Sequence, residues 1–128
     1  MALSRLAAEF AAEIKNHDWS DAPYRADRAG HQRAFDGNNP TIPQLGPRET
    51  EILELNVMWV AAQVLAHRDP NFDVYEFAEA CGIAPRLIYT SRGRKSGGII
   101  NGLRQDDGGF HRPGTYSSAP TAPVSAAT

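Results

Sequence analysis

Residues 48–67 read RETEILELNVMWVAAQVLAH, twenty positions without a proline or a glycine. Apolar side chains fall on nearly every face of a helix drawn through them, and Glu49, Glu51 and Glu54 gather at the end where the helix dipole favours negative charge. The stretch predicts a long helix in the middle of a core, with Met58, Trp59, Val60 and Leu65 as packing residues. If the indole is buried, truncating Trp59 to alanine costs about 3–5 kcal/mol.

Before this element, residues 38–47 (NNPTIPQLGP) hold three prolines and one glycine, whose fixed dihedrals and missing donors predict a connecting loop. Residues 18–37 are polar with scattered aromatics. Ser20 or Asp21 suits the cap of a short helix with Pro23 in its first turn, anchored by Trp19, Tyr24 and Phe35. Further back, Leu3, Leu6, Ala7, Phe10, Ala11 and Ile14 recur at helical spacing and predict an amphipathic helix up to about His17.

After the long helix, Asp73 and Glu76 have the spacing of a capping box, and Gly82 is placed to end the helix they start. Residues 98–103 (GIINGL) and Phe110 flank Asp106-Asp107-Gly108-Gly109, which suits the tight turn of a small hairpin. From Arg112 onward the chain is rich in Pro, Ser, Thr and Ala, and offers little burial to offset its ordering entropy. The expected class is therefore mostly α. One small helical domain of four to five helices, with a short C-terminal β-hairpin, covers residues 1–111, and a disordered tail covers residues 112–128.

No run approaches the roughly 20 apolar residues of a membrane span, and the N-terminus mixes acids into its first turns where a signal peptide is apolar. The expectation is a cytoplasmic protein that does not enter membranes. The lone Cys81, among Phe77, Ala78 and Ala80, reads as a buried, inert thiol. The net charge of -2 hides a segregation: residues 1–83 sum to -6 and residues 84–112 to +4. A basic segment on an acidic body suits a phosphate-binding element, and equally an intramolecular or partner-protein contact.

That basic segment follows a pattern with a mechanism. In residues 73–94 (DVYEFAEACGIAPRLIYTSRGR), Ala78 is the small residue where two helices would touch. Gly82 supplies a left-handed turn, Ile88 locks the second helix on the first, and Pro85 suits that second helix's first turn. Over these 22 residues the chain resembles helix-turn-helix DNA-binding proteins of the repressor type, with the turn written ACGIAPRLIY. It departs from their pattern at Ser91, where an apolar residue is usual, and at Gly93, which would end the second helix early. The resemblance implies double-stranded DNA as partner. It puts Arg86, Tyr89 and Thr90 on the groove-facing side of a recognition helix and Arg92, Arg94 and Lys95 near phosphates, with the later hairpin as a wing carrying Arg104 and Arg112.

Signals for catalysis are weaker. His17-Asp18 and the pair Asp27 and His31 fall short of the three or more ligands that a hydrolytic metal centre uses. His67-Arg68-Asp69 matches the kinase catalytic-loop triplet without a glycine-rich loop or the necessary length. Gly93-Arg94-Lys95-Ser96 lacks the glycine that precedes the lysine of a phosphate loop. The expectation is a non-enzymatic nucleic-acid-binding regulator with no cofactor and no metal, its acidic helices supplying packing or a homo-oligomer interface. The other reading is a protein-interaction module, such as a phage-like accessory, assembly or inhibitor protein, that meets a protein partner through those acidic helices.

Overall fold

The computed structural model describes residues 3–36 and 42–115. Among them are five helices: α1 (Arg5–Asn16), α2 (Pro47–Arg68), α3 (Val74–Ala80), α4 (Pro85–Ile88) and α5 (Gly97–Asn101). An antiparallel hairpin of β1 (Gln105–Asp106) and β2 (Gly109–Phe110) follows, pairing Gln105 with Phe110 and Asp106 with Gly109. The mostly helical class is as expected.

α1 starts where the Ser4 hydroxyl accepts from the Ala7 N–H at 3.1 Å. Its buried line is Ala7, Ala11 and Ile14, and the two alanines let it lie close against α2 and α3. The apolar stripe is only partly covered, because Leu6 and Phe10, turned about 100° from that line, remain 52% and 46% exposed. α2 buries Met58, Ala62, Gln63, Leu65 and Ala66. It is a flank of the core and not its centre: α1, α3 and β2 cover one side, and Val60 on the other is 73% exposed, contrary to its expected packing role. Trp59 lies half-buried, its Nε1 donating to the Ile99 carbonyl at 2.9 Å.

The Asp73 carboxylate accepts from the N–H groups of Tyr75 and Glu76 and so starts α3. α3 ends in a Schellman arrangement: Ile83 N–H donates to Ala78 O at 3.1 Å and Gly82 N–H to Glu79 O at 3.0 Å, with Gly82 at φ +85°. Phe77, Ala78, Cys81 and Ile83 are buried, and burial pushes the Cys81 thiol up to about 12, in keeping with an inert packing role.

Three local expectations are corrected. Residues 98–103 do not form a strand. Ser96 Oγ accepts from Gly98 N–H at 3.2 Å, the turn of α5 follows, and Ile99 enters the core. Residues 22–24 form the expected short helix as a 3-10 turn, with Asp21 at its N-cap position and Pro23 in its first turn, but the Asp21 carboxylate makes no capping hydrogen bond and accepts instead from Arg25 at 3.3 Å. Tyr24 and Phe35 are 47% and 83% exposed, so Trp19, whose Nε1 donates to Ile14 O at 2.9 Å, is the aromatic that anchors this segment. Residues 112–115, assigned to the tail, form a turn in which Thr115 N–H donates to Arg112 O at 3.2 Å. The rest of the expected tail, residues 116–128, lies outside the described residues.

Candidate functional site

The second member of the expected helix pair is one turn long. Tyr89 is extended, at φ -122° and ψ 151°, and its N–H closes α4 on Pro85 O at 2.8 Å. Residues 89–95 then fold back on themselves. Tyr89 and Lys95 form an antiparallel bridge, Thr90 N–H donates to Arg94 O at 2.7 Å, and Gly93 N–H donates to Thr90 O at 2.9 Å. Gly93 supplies the left-handed residue of the turn at φ +78°, and a Cβ there would meet nothing within 4 Å. The Thr90 hydroxyl accepts from both Arg92 N–H, at 3.3 Å, and Arg94 N–H, at 3.2 Å. A threonine read as a helix residue thus competes for the backbone and stabilises a turn.

The base of this turn is tied to α3. Tyr75 donates its hydroxyl to Ser96 O at 2.7 Å, and the Lys95 ammonium lies 5.0 Å from the Tyr75 ring centroid. Tyr89 donates its hydroxyl to the Glu79 carboxylate. That bond, with partial desolvation, raises the Tyr89 pKa. Below the turn, Ile88 and Ile99 are buried, so the basic segment rests on packed aliphatic side chains.

The residues assigned to binding from sequence fall into separate groups. Arg86, the only one of them on α4, pairs with Glu51 of α2. Arg86, Tyr89 and Thr90 border a shallow hollow of roughly 420 Å³ with Pro85 and Ser91. The placement of Arg86, Tyr89 and Thr90 on one face of a recognition helix is therefore corrected to one turn of helix followed by an extended, hydrogen-bonded segment. Arg92 and Arg94 are exposed and have no acidic partner among the described residues.

Arg104 stands elsewhere. Its N–H donates to Gln63 Oε1 at 2.8 Å, while Gln63 Nε2 donates to the carbonyls of Arg104 and His111, each at 3.1 Å. The hairpin is thereby fastened to α2. The Arg104 side chain borders a groove of roughly 550 Å³ with Trp59, Val60, Val64 and Thr115, its Nε buried without a hydrogen-bond partner. Sequence reading missed Gln63, Tyr75 and Glu79. The polar Gln63 amid the apolar run of α2 was the available signal.

The other cluster of charge is self-contained. Arg25 binds Asp21, Asp27 and Asp36, and Arg28 binds Asp27 and Asp36. Arg28, the Gln32 backbone and Arg25 hold Asp36 down at about 2. His17 accepts from Gly30 N–H at 3.0 Å and packs against the buried His31, with ring centroids 4.2 Å apart. Burial first, then the neighbouring His31, lowers the His17 pKa. Asp27 is spent on the arginines and is not helically spaced with His31, since the segment between them is irregular. Among the described residues no group of three or more His, Cys, Asp or Glu side chains is arranged to hold a metal ion. No helix among them is long and apolar enough to cross a membrane.

Comparison of the chain with models of known families, with curated proteins and with solved structures found no match.

Proposed function

We propose that this chain is a non-enzymatic nucleic-acid-binding protein that engages the polyanion through the turn at residues 89–95. The observation that carries the reading is that two exposed arginines, Arg92 and Arg94, stand together on one braced turn with no acidic partner among the described residues, whereas Arg86 beside them is engaged by Glu51. A solvated, unpaired arginine pair on a net positive segment gains most from phosphate, because no internal ion pair has to be broken first. Lys95, held over Tyr75, is suited to a flanking phosphate contact. Arg104, fastened to α2, is set apart from this turn.

The test is the salt dependence of binding to a duplex by fluorescence anisotropy. The reading predicts a linear fall of log affinity with log salt, and Arg92→Ala with Arg94→Ala should reduce the slope by about 2. Absence of binding at low salt, in an assay that registers a known binder, rejects the reading.

A second reading, an interface for a protein partner or a second copy, is favoured by the exposed line Ile52, Val60 and Val64 on α2. Light scattering separates it: self-association abolished by Val60→Ser with Val64→Ser supports it, and a monomer at all concentrations removes the second-copy form.

A further inference from the structure

We infer that the turn at residues 89–95 is built for the narrow minor groove of A·T-rich duplex DNA, with Arg92 and Arg94 as the inserted side chains. This rests on the nucleic-acid reading above and specifies its ligand.

Shape comes first. A major groove about 12 Å wide accepts a helix or a two-stranded ribbon that lays several side chains against base edges, whereas the minor groove is about 6 Å wide. α4 is a single turn, and its arginine is engaged by Glu51. What the basic segment does present is a tight turn with two arginines, one on each side of a glycine. With no side chain at Gly93 and open space where a Cβ would stand, the backbone between the arginines is free to approach a groove floor.

Chemistry agrees with shape. A narrow minor groove concentrates negative potential, and arginine enters it more readily than lysine because guanidinium is the more weakly hydrated cation. Here the two residues flanking the glycine are arginines, while the lysine, Lys95, stands at the base of the turn with its ammonium 5.0 Å from the Tyr75 ring centroid.

The turn is also set in advance. The Thr90 hydroxyl holds the backbone N–H of both arginines, and the Thr90 backbone is bonded to Arg94 and Gly93. Little backbone ordering remains to be done on binding, which favours affinity. Thr90 is accordingly a positioning residue, a role different from the groove contact its sequence position suggested.

The experiment uses the full chain and three duplexes of equal length, rich in A·T, in G·C or in inosine·cytosine pairs. Inosine removes the guanine amino group from the minor groove and leaves the major-groove edge of a G·C pair. Binding to the A·T and inosine duplexes should be about tenfold tighter than to the G·C duplex. Arg92→Lys with Arg94→Lys should bring both down to the G·C value, with the unfolding midpoint held at that of the parent. Equal affinity for A·T and G·C, or an inosine duplex that behaves like G·C, overturns the minor-groove assignment and leaves nucleic-acid binding standing. No binding to any duplex at low salt rejects both.

Discussion

Lys95 lies with its ammonium 5.0 Å from the ring centroid of Tyr75, and the hydroxyl of that same tyrosine donates to the carbonyl of Ser96, the next residue along. One side chain of α3 therefore grips the basic turn at two adjacent positions, through a ring face and a hydrogen bond. Tyr75→Phe keeps the ring and loses the bond. It should cost about 1 kcal/mol in urea unfolding, and amide hydrogen exchange around residues 94–96 should accelerate. Unchanged exchange there would show that the turn does not depend on α3.

Gln63 makes a three-way clamp, accepting from Arg104 and donating to the carbonyls of Arg104 and His111. It is 5% exposed, so an apolar replacement leaves backbone groups without partners in a dry setting. Gln63→Leu should destabilise the fold by about 2–3 kcal/mol in denaturant unfolding. Gln63→Glu, which still accepts and no longer donates, should be destabilising as well. A neutral result for both would mean that the hairpin is held by other contacts.

Two glycines separate steric need from conformational need. A Cβ on Gly102 would overlap the indole of Trp59, so Gly102→Ala should cost about 1–3 kcal/mol through forced repacking. Gly93 has open space but a φ of +78°, so Gly93→Ala should cost about 1–2 kcal/mol from backbone strain alone. Of the two, only Gly93→Ala should weaken duplex binding in anisotropy titrations done well below both midpoints. The opposite ranking would mean that the turn's shape is immaterial to binding.

The Glu54 carboxyl is half-buried near the Gly82 turn, and burial, with repulsion from Glu51, pushes its pKa up to about 7 from 4.5. An acid raised in the folded state keeps a proton that the unfolded chain has released. Its contribution is complete below 4.5 and is lost as pH rises through about 7. Glu54→Gln should remove that decline, with a gain on the order of 1 kcal/mol above neutrality, because half of the group remains in water. Urea midpoints of parent and variant on either side of this window decide it. Parallel curves would place Glu54 in a wetter setting than the fold suggests.

What the sequence disclosed was mostly local. The Asp73 cap, the glycine end of α3 and the long helix over residues 48–67 follow from hydrogen-bonding groups and apolar content within a few residues of each other. Burial of Val60, Tyr24 and Phe35 could not be read, since it depends on which elements arrive from elsewhere, and none of the described elements covers those positions. Residues 98–103 are a short apolar run of the kind that either a strand or a helix accommodates. The Ser96 cap and Trp59, forty positions away from Ile99 in sequence, decide for helix. In the basic segment the residue types were readable and the backbone was not, because Pro85 starts a helix while Thr90 bonds back onto its own turn.

The most direct measurement is a map of amide chemical shifts, recorded by NMR as an A·T-rich duplex is titrated into the labelled chain. The largest changes should fall on residues 90–96, centred on Gly93, with Arg104 and the exposed line of α2 little affected. Changes concentrated at Leu6, Phe10, Val60 and Val64, or none at residues 90–96 on saturation, would contradict binding through this turn.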